Sequence, residues 1–173
     1  MKILAKLNNE VVIRDATIED LTGIVAIYNS TIPSRMVTAE LKPATVDSKQ
    51  EWFCRHTVKR PIRVITDNNG TIIGWTSIEP FINREAYNYT AEISIYLARE
   101  WRGKGIGKQL LQYIISTAKG LDIKVLLGYI FSHNTPSLNL FHSLGFEDWA
   151  FLPGVATLDG FERDLQIVGK RIQ

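Results

Sequence analysis

The string Arg102-Gly103-Lys104-Gly105-Ile106-Gly107-Lys108 constrains this chain more than any other segment. It follows the β-rich run Thr90-Ala91-Glu92-Ile93-Ser94-Ile95-Tyr96-Leu97. It precedes a stretch in which Ile106, Leu110, Leu111, Ile114, Ile115 and Ala118 fall on one side of a helix. Three glycines between a strand and a helix let bare backbone amides approach a ligand closely. The helix N-terminus adds unpaired N–H groups and roughly half a positive charge, which suits a phosphate or pyrophosphate. Arg102, Lys104 and Lys108 surround it with mobile positive charge. A tight turn alone would need fewer glycines and no basic residues.

Spacing excludes one common phosphate loop and argues against another. A Walker loop requires four residues between its first glycine and a Gly-Lys-Ser/Thr, and no such string occurs. A dinucleotide fingerprint requires Gly-x-Gly-x-x-Gly in the first strand-helix unit, whereas this segment reads Gly-x-Gly-x-Gly and lies past the chain midpoint.

Around the loop, the chain reads as one α/β domain. Val11-Val12-Ile13-Arg14 is a short strand after a polar lead-in, and Thr17-Ile18-Glu19-Asp20 is a hydroxyl cap with acids in the first turn. Leu21, Ile24, Val25 and Tyr28 recur at helical spacing and stop before Pro33. A second helix is expected from about Val46 to Val58, with Trp52 and Phe53 inward. Arg63–Asp67 and Thr71–Ile78 flank Asn68-Asn69-Gly70, a hairpin turn. Lys124–Ile130 is apolar on both faces, as in a central strand. Asn134-Thr135-Pro136 opens a short helix that Gly145 closes. Runs near Glu147–Leu152 and Phe161–Val168 suggest a terminal hairpin. This order predicts a mixed sheet with helices on both faces.

Composition narrows the function classes. The 173 residues, 45% of them apolar, can bury a real core without disulfides, and the single cysteine, Cys54, reads as a helix-packing residue. Twenty basic against 18 acidic residues give a net charge of +2, which demands neither nucleic acid nor an anionic membrane. No apolar run approaches the roughly 20 residues of a membrane span, and Met1–Glu10 lacks the apolar core of a signal peptide. A cytoplasmic protein is expected. No His/Cys/acid cluster has metal-ligand spacing, and His56, His133 and His142 stand apart, so no metal is expected.

Arg102-x-x-Gly105-x-Gly107 after an apolar strand resembles the coenzyme A pyrophosphate loop of the GCN5-related N-acetyltransferase superfamily. Asn134-x-x-Ser137 followed by Leu144-Gly145-Phe146 is similar to that superfamily's next landmark. Tyr89–Leu97 and Gly160–Leu165 resemble the phosphinothricin N-acetyltransferase branch, and Tyr28-Asn29 and Trp52-Phe53 also fit it. The resemblance covers roughly Val11 to Val168 and implies an acyl-CoA N-acyltransferase fold, a mixed and mostly antiparallel sheet flanked by helices.

It further implies that acetyl-CoA is the co-substrate. Residues 102–108, that is Arg102, Gly103, Lys104, Gly105, Ile106, Gly107 and Lys108, would hold its pyrophosphate. Asn134 and Ser137 would meet its pantetheine and ribose-phosphate side. The Glu-bearing strand would splay from its neighbour and present backbone groups of Ile95, Tyr96 and Leu97 to the thioester. Glu92, in an otherwise apolar strand and at the place of the branch's acidic residue, is expected to accept the amine proton, since burial raises a carboxyl toward a useful range. Glu92, Ser94 and Tyr96 share one face of the strand. Many superfamily members carry a tyrosine proton donor where this chain has Phe141; a thiolate leaves tolerably without one, and Tyr96 or water is the alternative donor.

In the branch, the acceptor pocket is built from the segments corresponding to Ile32–Glu40 and Phe81–Tyr87, which offer Arg35, Arg84 and Tyr87, with Ser94 nearby on the strand. A guanidinium fork matches a carboxylate or phosphinate. The expected acceptor is a small amino-acid analogue such as phosphinothricin, methionine sulfone or methionine sulfoximine, and the expected assembly a homodimer. Two alternatives stand beside it: acetylation of a protein N-terminus or antibiotic amine, and a non-catalytic acyl-CoA-binding regulatory module.

Overall fold

The computed structural model describes residues 2–7 and 10–172. Met1, Asn8 and Asn9, within the lead-in read above for a signal sequence, lie outside the described residues.

The expected hairpin forms because Asp67 and Gly70 close it. The Asp67 Oδ1 accepts from the amides of Asn69 and Thr71, each at 2.9 Å, and Gly70 takes φ +80°, a left-handed conformation that glycine adopts without steric cost. The turn joins β3 (Ile62–Asp67) to β4 (Ile72–Pro80). Six further strands complete the sheet: β1 (Ile3–Lys6), β2 (Val11–Asp15), β5 (Thr90–Leu97), β6 (Val125–Phe131), β7 (Glu147–Leu158) and β8 (Phe161–Arg171). The order is β1-β2-β3-β4-β5-β6-β8-β7, with β5–β6 the parallel pair and the other neighbours antiparallel.

Helices cover both faces. On one, α1 (Leu21–Thr31) and α2 (Val46–Cys54) pack Ile24, Ile27, Tyr28, Trp52 and Phe53 against Ile62, Val64 and Trp75. On the other, α3 (Ile106–Ala118) and α4 (Thr135–His142) pack Leu110, Leu111, Ile114 and Phe141 against Ile65, Ile73, Ile93 and Leu126. On β3 the neighbours Val64 and Ile65 serve opposite cores, as period-two side chains do, whereas on β4 Ile73 and Trp75, two residues apart, do so across the register shift that β3 and β4 share at Ile65/Thr66. The α1–α2 connection is fixed by Asn29, whose side chain both donates to the Ala44 carbonyl and accepts from its amide at 2.9 Å, just before Thr45 caps α2.

Several expectations are corrected. The lead-in holds β1, a four-residue edge strand with Ile3 53% exposed, too short and solvated to show an apolar pattern. Helix α2 ends at Cys54 instead of Val58, because Thr57 and Arg60 bond each other's backbone and turn the chain toward β3. Cys54 is exposed; Trp52 and Phe53 take the packing role. Strands β7 and β8 run past the expected runs to Leu158 and Arg171.

Candidate active site

The site begins where β5 leaves β6. Their parallel register runs through Thr90↔Val125, Ala91↔Leu126 and Glu92↔Leu127, and no pair follows among the described residues, although β5 continues to Leu97 and β6 to Phe131. The Thr90 carbonyl accepts from Phe81 and the Ala98 amide donates to Ile73, so even-numbered backbone groups of this stretch face the β4 side. The odd-numbered ones, Ile93, Ile95 and Leu97, therefore face the gap. The strand thus splays as expected, and Ile95 and Leu97 present polar backbone edges there. Tyr96, which was expected to contribute backbone as well, is turned to β4 in register with Trp75 and contributes its ring instead.

The gap leads to the glycine loop. Gly103 at φ +73° and Gly105 at φ +79° both require the left-handed region, and a Cβ at either would meet nothing within 4 Å. Gly105 is the N-cap of α3 and has no side-chain cap, so the first amides of the helix remain available to a ligand. Ile106 is buried in the core and offers only its amide, whereas Lys104 and Lys108 are exposed. Lys104 Nζ lies over the Trp101 ring at 4.9 Å, and Arg102 Nε donates to the Leu97 carbonyl at 2.8 Å, tying the loop to the end of β5. A gap whose edges no neighbouring strand pairs among the described residues, opening onto a cationic nest of amides, fits a pantetheine arm and a pyrophosphate.

On the opposite face of β5, the Glu92, Ser94 and Tyr96 side chains stand beside Glu79, Ser77 and Trp75 of β4, their register partners. There a pocket of about 130 Å³ is walled by Tyr28, Trp52, Trp75 and Tyr96. Trp75 and Tyr96 stack at 4.3 Å, Tyr28 meets Tyr96 edge-on at 5.4 Å, and Trp52 meets Trp75 edge-on at 5.6 Å. Ser77, Glu79, Ser94 and Lys49 supply the polar lining. Burial, and after it the charge of Glu79, pushes the Glu92 carboxyl up to about 7. Burial also pushes the Tyr96 phenol upward.

The other expected site residues are placed as follows. Asn134 is buried and already occupied: its Oδ1 accepts from the Ser137 amide at 3.2 Å, capping α4, and its Nδ2 donates to the Met36 carbonyl at 2.9 Å. Ser137, partly buried in the first turn of α4, contributes that amide to the cap. Arg35 does not reach the pocket as a free fork; Nε and Nη2 grip the Asp159 carboxylate at 2.6 and 3.1 Å. Arg84 and Tyr87 are exposed, and Tyr87 leans edge-on against Phe81. Phe141 is core, 5% exposed, its ring against Gly128. Sequence reasoning missed Lys49 and Glu79. The signal for Lys49 was its position three and four residues before Trp52 and Phe53, which puts it on their helix face.

A splayed strand pair, a glycine-rich helix start and a carboxyl poised near neutrality beside an aromatic pocket define an acyl-CoA-dependent acyltransferase. Residues 24–146 match the Acetyltransferase (GNAT) family. The chain belongs to that family, in its phosphinothricin acetyltransferase-like branch, and is an acetyltransferase. YwnH of Bacillus subtilis (strain 168), a protein named for phosphinothricin acetyltransferase, is 49% identical over 160 residues, covering 92% of this chain and 98% of YwnH. The L-methionine sulfoximine/L-methionine sulfone acetyltransferase of Pseudomonas aeruginosa PAO1 is 36% identical over 154 residues, 88% of this chain and 90% of that protein. The crystal structure of a GNAT superfamily phosphinothricin acetyltransferase from Sinorhizobium meliloti in complex with AcCoA superposes with a TM-score of 0.88 at 30% identity, covering 94% of this chain and 88% of that one.

Proposed function

We propose that this chain is a cytoplasmic enzyme that moves an acetyl group from acetyl-CoA to the amino group of a small amino-acid-like acceptor of the phosphinothricin or methionine sulfone/sulfoximine type, by direct attack with both substrates bound. The observation that carries this reading is Glu92: a carboxyl raised to about 7, on the strand face shared by the aromatic pocket, at the strand that splays toward the glycine loop. The relatives' names for methionine sulfone and phosphinothricin acceptors support the substrate class, and so does a pocket of about 130 Å³, sized for one small molecule.

Acetyl-CoA, when bound, supplies the acetyl thioester. The amides of Gly103 to Lys108, with Lys104 and Lys108, would hold its pyrophosphate, while the edges of Ile95 and Leu97 would align the arm and offer N–H donors to a carbonyl oxygen. Glu92 accepts a proton from the acceptor nitrogen, directly or through water, leaving the nitrogen lone pair free to attack. The aromatic walls exclude bulk water and hold the acceptor still. Phe141, buried and without a proton, takes no part.

A homodimer is part of this proposal. Phe151, Val155 and Phe161 on the β7–β8 hairpin are 53%, 56% and 65% exposed, apolar surface that a second copy would cover. The test of the activity is free-thiol release from acetyl-CoA over a panel of amino-acid analogues, antibiotic amines and peptide N-termini. Release confined to peptides or antibiotic amines, or absent throughout, would overturn it.

A further inference from the structure

Within the acceptor reading above, on which this step rests, we infer that the pocket binds its acceptor as a zwitterion: Lys49 pairs with the acceptor's anionic group and Glu79 with its ammonium, which sets the nitrogen beside Glu92.

Lys49 is the pocket's cation. It is partly buried on an α2 whose neighbouring positions Asp47, Ser48 and Gln50 are exposed. Its Nζ sits 4.8 Å from the Tyr28 ring centroid and 5.8 Å from that of Trp52. Those rings hold the ammonium by their faces and accept no conventional hydrogen bond, so its three donors stay available. Among the described residues no carboxylate lies within ion-pair distance of it, whereas the exposed Lys59 is paired to Asp122 at 2.7 Å. A cation held in an aromatic wall without a counter-ion is a receptor for an anion.

Glu79 is the complementary group. Its Oε1 accepts from Trp52 Nε1 at 3.2 Å and from the Ser77 hydroxyl at 3.4 Å, and its Oε2 has no partner among the described residues. One indole therefore carries the cation against its face and the anion on its N–H, fixing the two charges at separate points of the wall. Glu79 is also the β4 residue in register with Glu92. An ammonium paired to Glu79 is thereby next to the group that takes its proton: an N–H bond breaks, the proton goes to the Glu92 carboxylate, and the electron pair stays on nitrogen. The two arginines expected to read the acceptor's acid are not placed for it, since Arg35 is bound to Asp159 and Arg84 is exposed away from this lining.

The experiment compares L-methionine sulfone with 3-(methylsulfonyl)propan-1-amine, which keeps the ammonium and sulfone and lacks the carboxylate. Binding to the full chain is read by quenching of tryptophan fluorescence, with Trp52 and Trp75 in the pocket wall as reporters, and turnover by thiol release. We expect the wild type to bind the amino acid at least about tenfold tighter than the amine, a charge-assisted contact's worth. Lys49→Met should bring that ratio to within about threefold, acting on acceptor KM and not on kcat, while Lys49→Arg restores part of it. Glu79→Gln should weaken both ligands together and leave the ratio standing. Lys49→Gln, checked by thermal melt, replaces Lys49→Met should the latter misfold. A wild type without preference, a wild type that binds neither ligand, or a Lys49→Met ratio equal to wild type overturns the inference. Lys49-dependent binding without thiol release would overturn the acetyl-transfer reading and leave this one intact.

Discussion

Glu92 and Glu79 occupy one register position of the β4–β5 ladder, two carboxyls directly opposite each other. Like charges at that spacing resist joint ionisation, and burial adds a larger push in the same direction, so Glu92 rises to about 7. As a base it must be deprotonated. The value of kcat/KM should therefore climb about tenfold per pH unit below 7 and level off above it. Glu92→Gln should lose this limb and about 10²- to 10⁴-fold in rate. Glu79→Gln should move the midpoint downward but not to the ordinary glutamate value, because burial remains. A pH profile of all three enzymes checks this, and an unmoved midpoint in Glu79→Gln would remove the electrostatic link.

The same shift makes stability depend on pH. A carboxyl whose folded pKa exceeds its unfolded value of 4.5 holds a proton that the unfolded chain has released. Stability from this group is thus fully present below about 4.5 and falls as pH rises through about 7. The ceiling is about 3 kcal/mol at 1.36 kcal/mol per unit. Glu92→Gln should therefore melt higher than wild type at pH 8 and about equally at pH 4.5. Thermal melts at the two pH values decide it.

The core and the position of the glycine loop between β5 and α3 were legible because they rest on local chemistry. Period-two and helical spacing placed the apolar faces, and the alternating glycines before the amphipathic run marked a bare backbone at a helix start, where Gly105 is the N-cap of α3. Strand β1 was not legible, since a four-residue edge strand with half-exposed side chains has no core to pattern against. The acceptor side was read least well for a physical reason: a side chain's partner is set by tertiary placement. Arg35 looked like a free fork in sequence until a residue 124 positions away, Asp159, took it. Lys49 drew no reading at all, because its place in the pocket depends on Tyr28, a residue of α1 whose ring lies under its ammonium. Asn134 was found as a landmark, yet its two polar atoms serve the α4 cap and the Met36 loop.

Gly105 sits at φ +79°, where a Cβ costs about 1–2 kcal/mol of backbone strain even though no protein atom lies within 4 Å of it. Gly105→Ala should lower the melting temperature modestly. If coenzyme A lies against this loop as proposed, the added Cβ would meet it or the loop would relax away from it, and coenzyme A should bind more weakly by about tenfold or more. Isothermal titration with coenzyme A separates the two effects; an unchanged affinity would mean that the loop does not approach the pyrophosphate.

Arg14 and Asp20 form a buried pair, at 2.6 and 2.7 Å through the two terminal guanidinium nitrogens Nη1 and Nη2, that joins β2 to the start of α1. Burial alone would raise the Asp20 carboxyl, but Arg14 and the Thr17 amide outweigh it and hold it below its usual range. Its stabilisation is therefore present above the usual carboxylate range and lost as pH falls through the lowered value. Asp20→Asn strands a buried guanidinium and should cost about 3–5 kcal/mol by chemical denaturation. A loss below 1 kcal/mol would show that water reaches Arg14.

Arg35 and Asp159 clamp the loop after α1 to the β7–β8 turn, and Arg35 takes φ +54° while its carbonyl accepts from His133 Nε2 at 2.9 Å. That loop carries Thr38, whose hydroxyl meets the Tyr28 hydroxyl at 2.7 Å, so the clamp reaches the pocket through Tyr28. If Arg35 acts through Asp159 and touches no substrate, Arg35→Ala and Asp159→Ala should raise acceptor KM by the same factor, and the double variant should add nothing. An Arg35→Ala effect several-fold beyond that of Asp159→Ala, confined to acceptors bearing an acid group, would return Arg35 to the substrate.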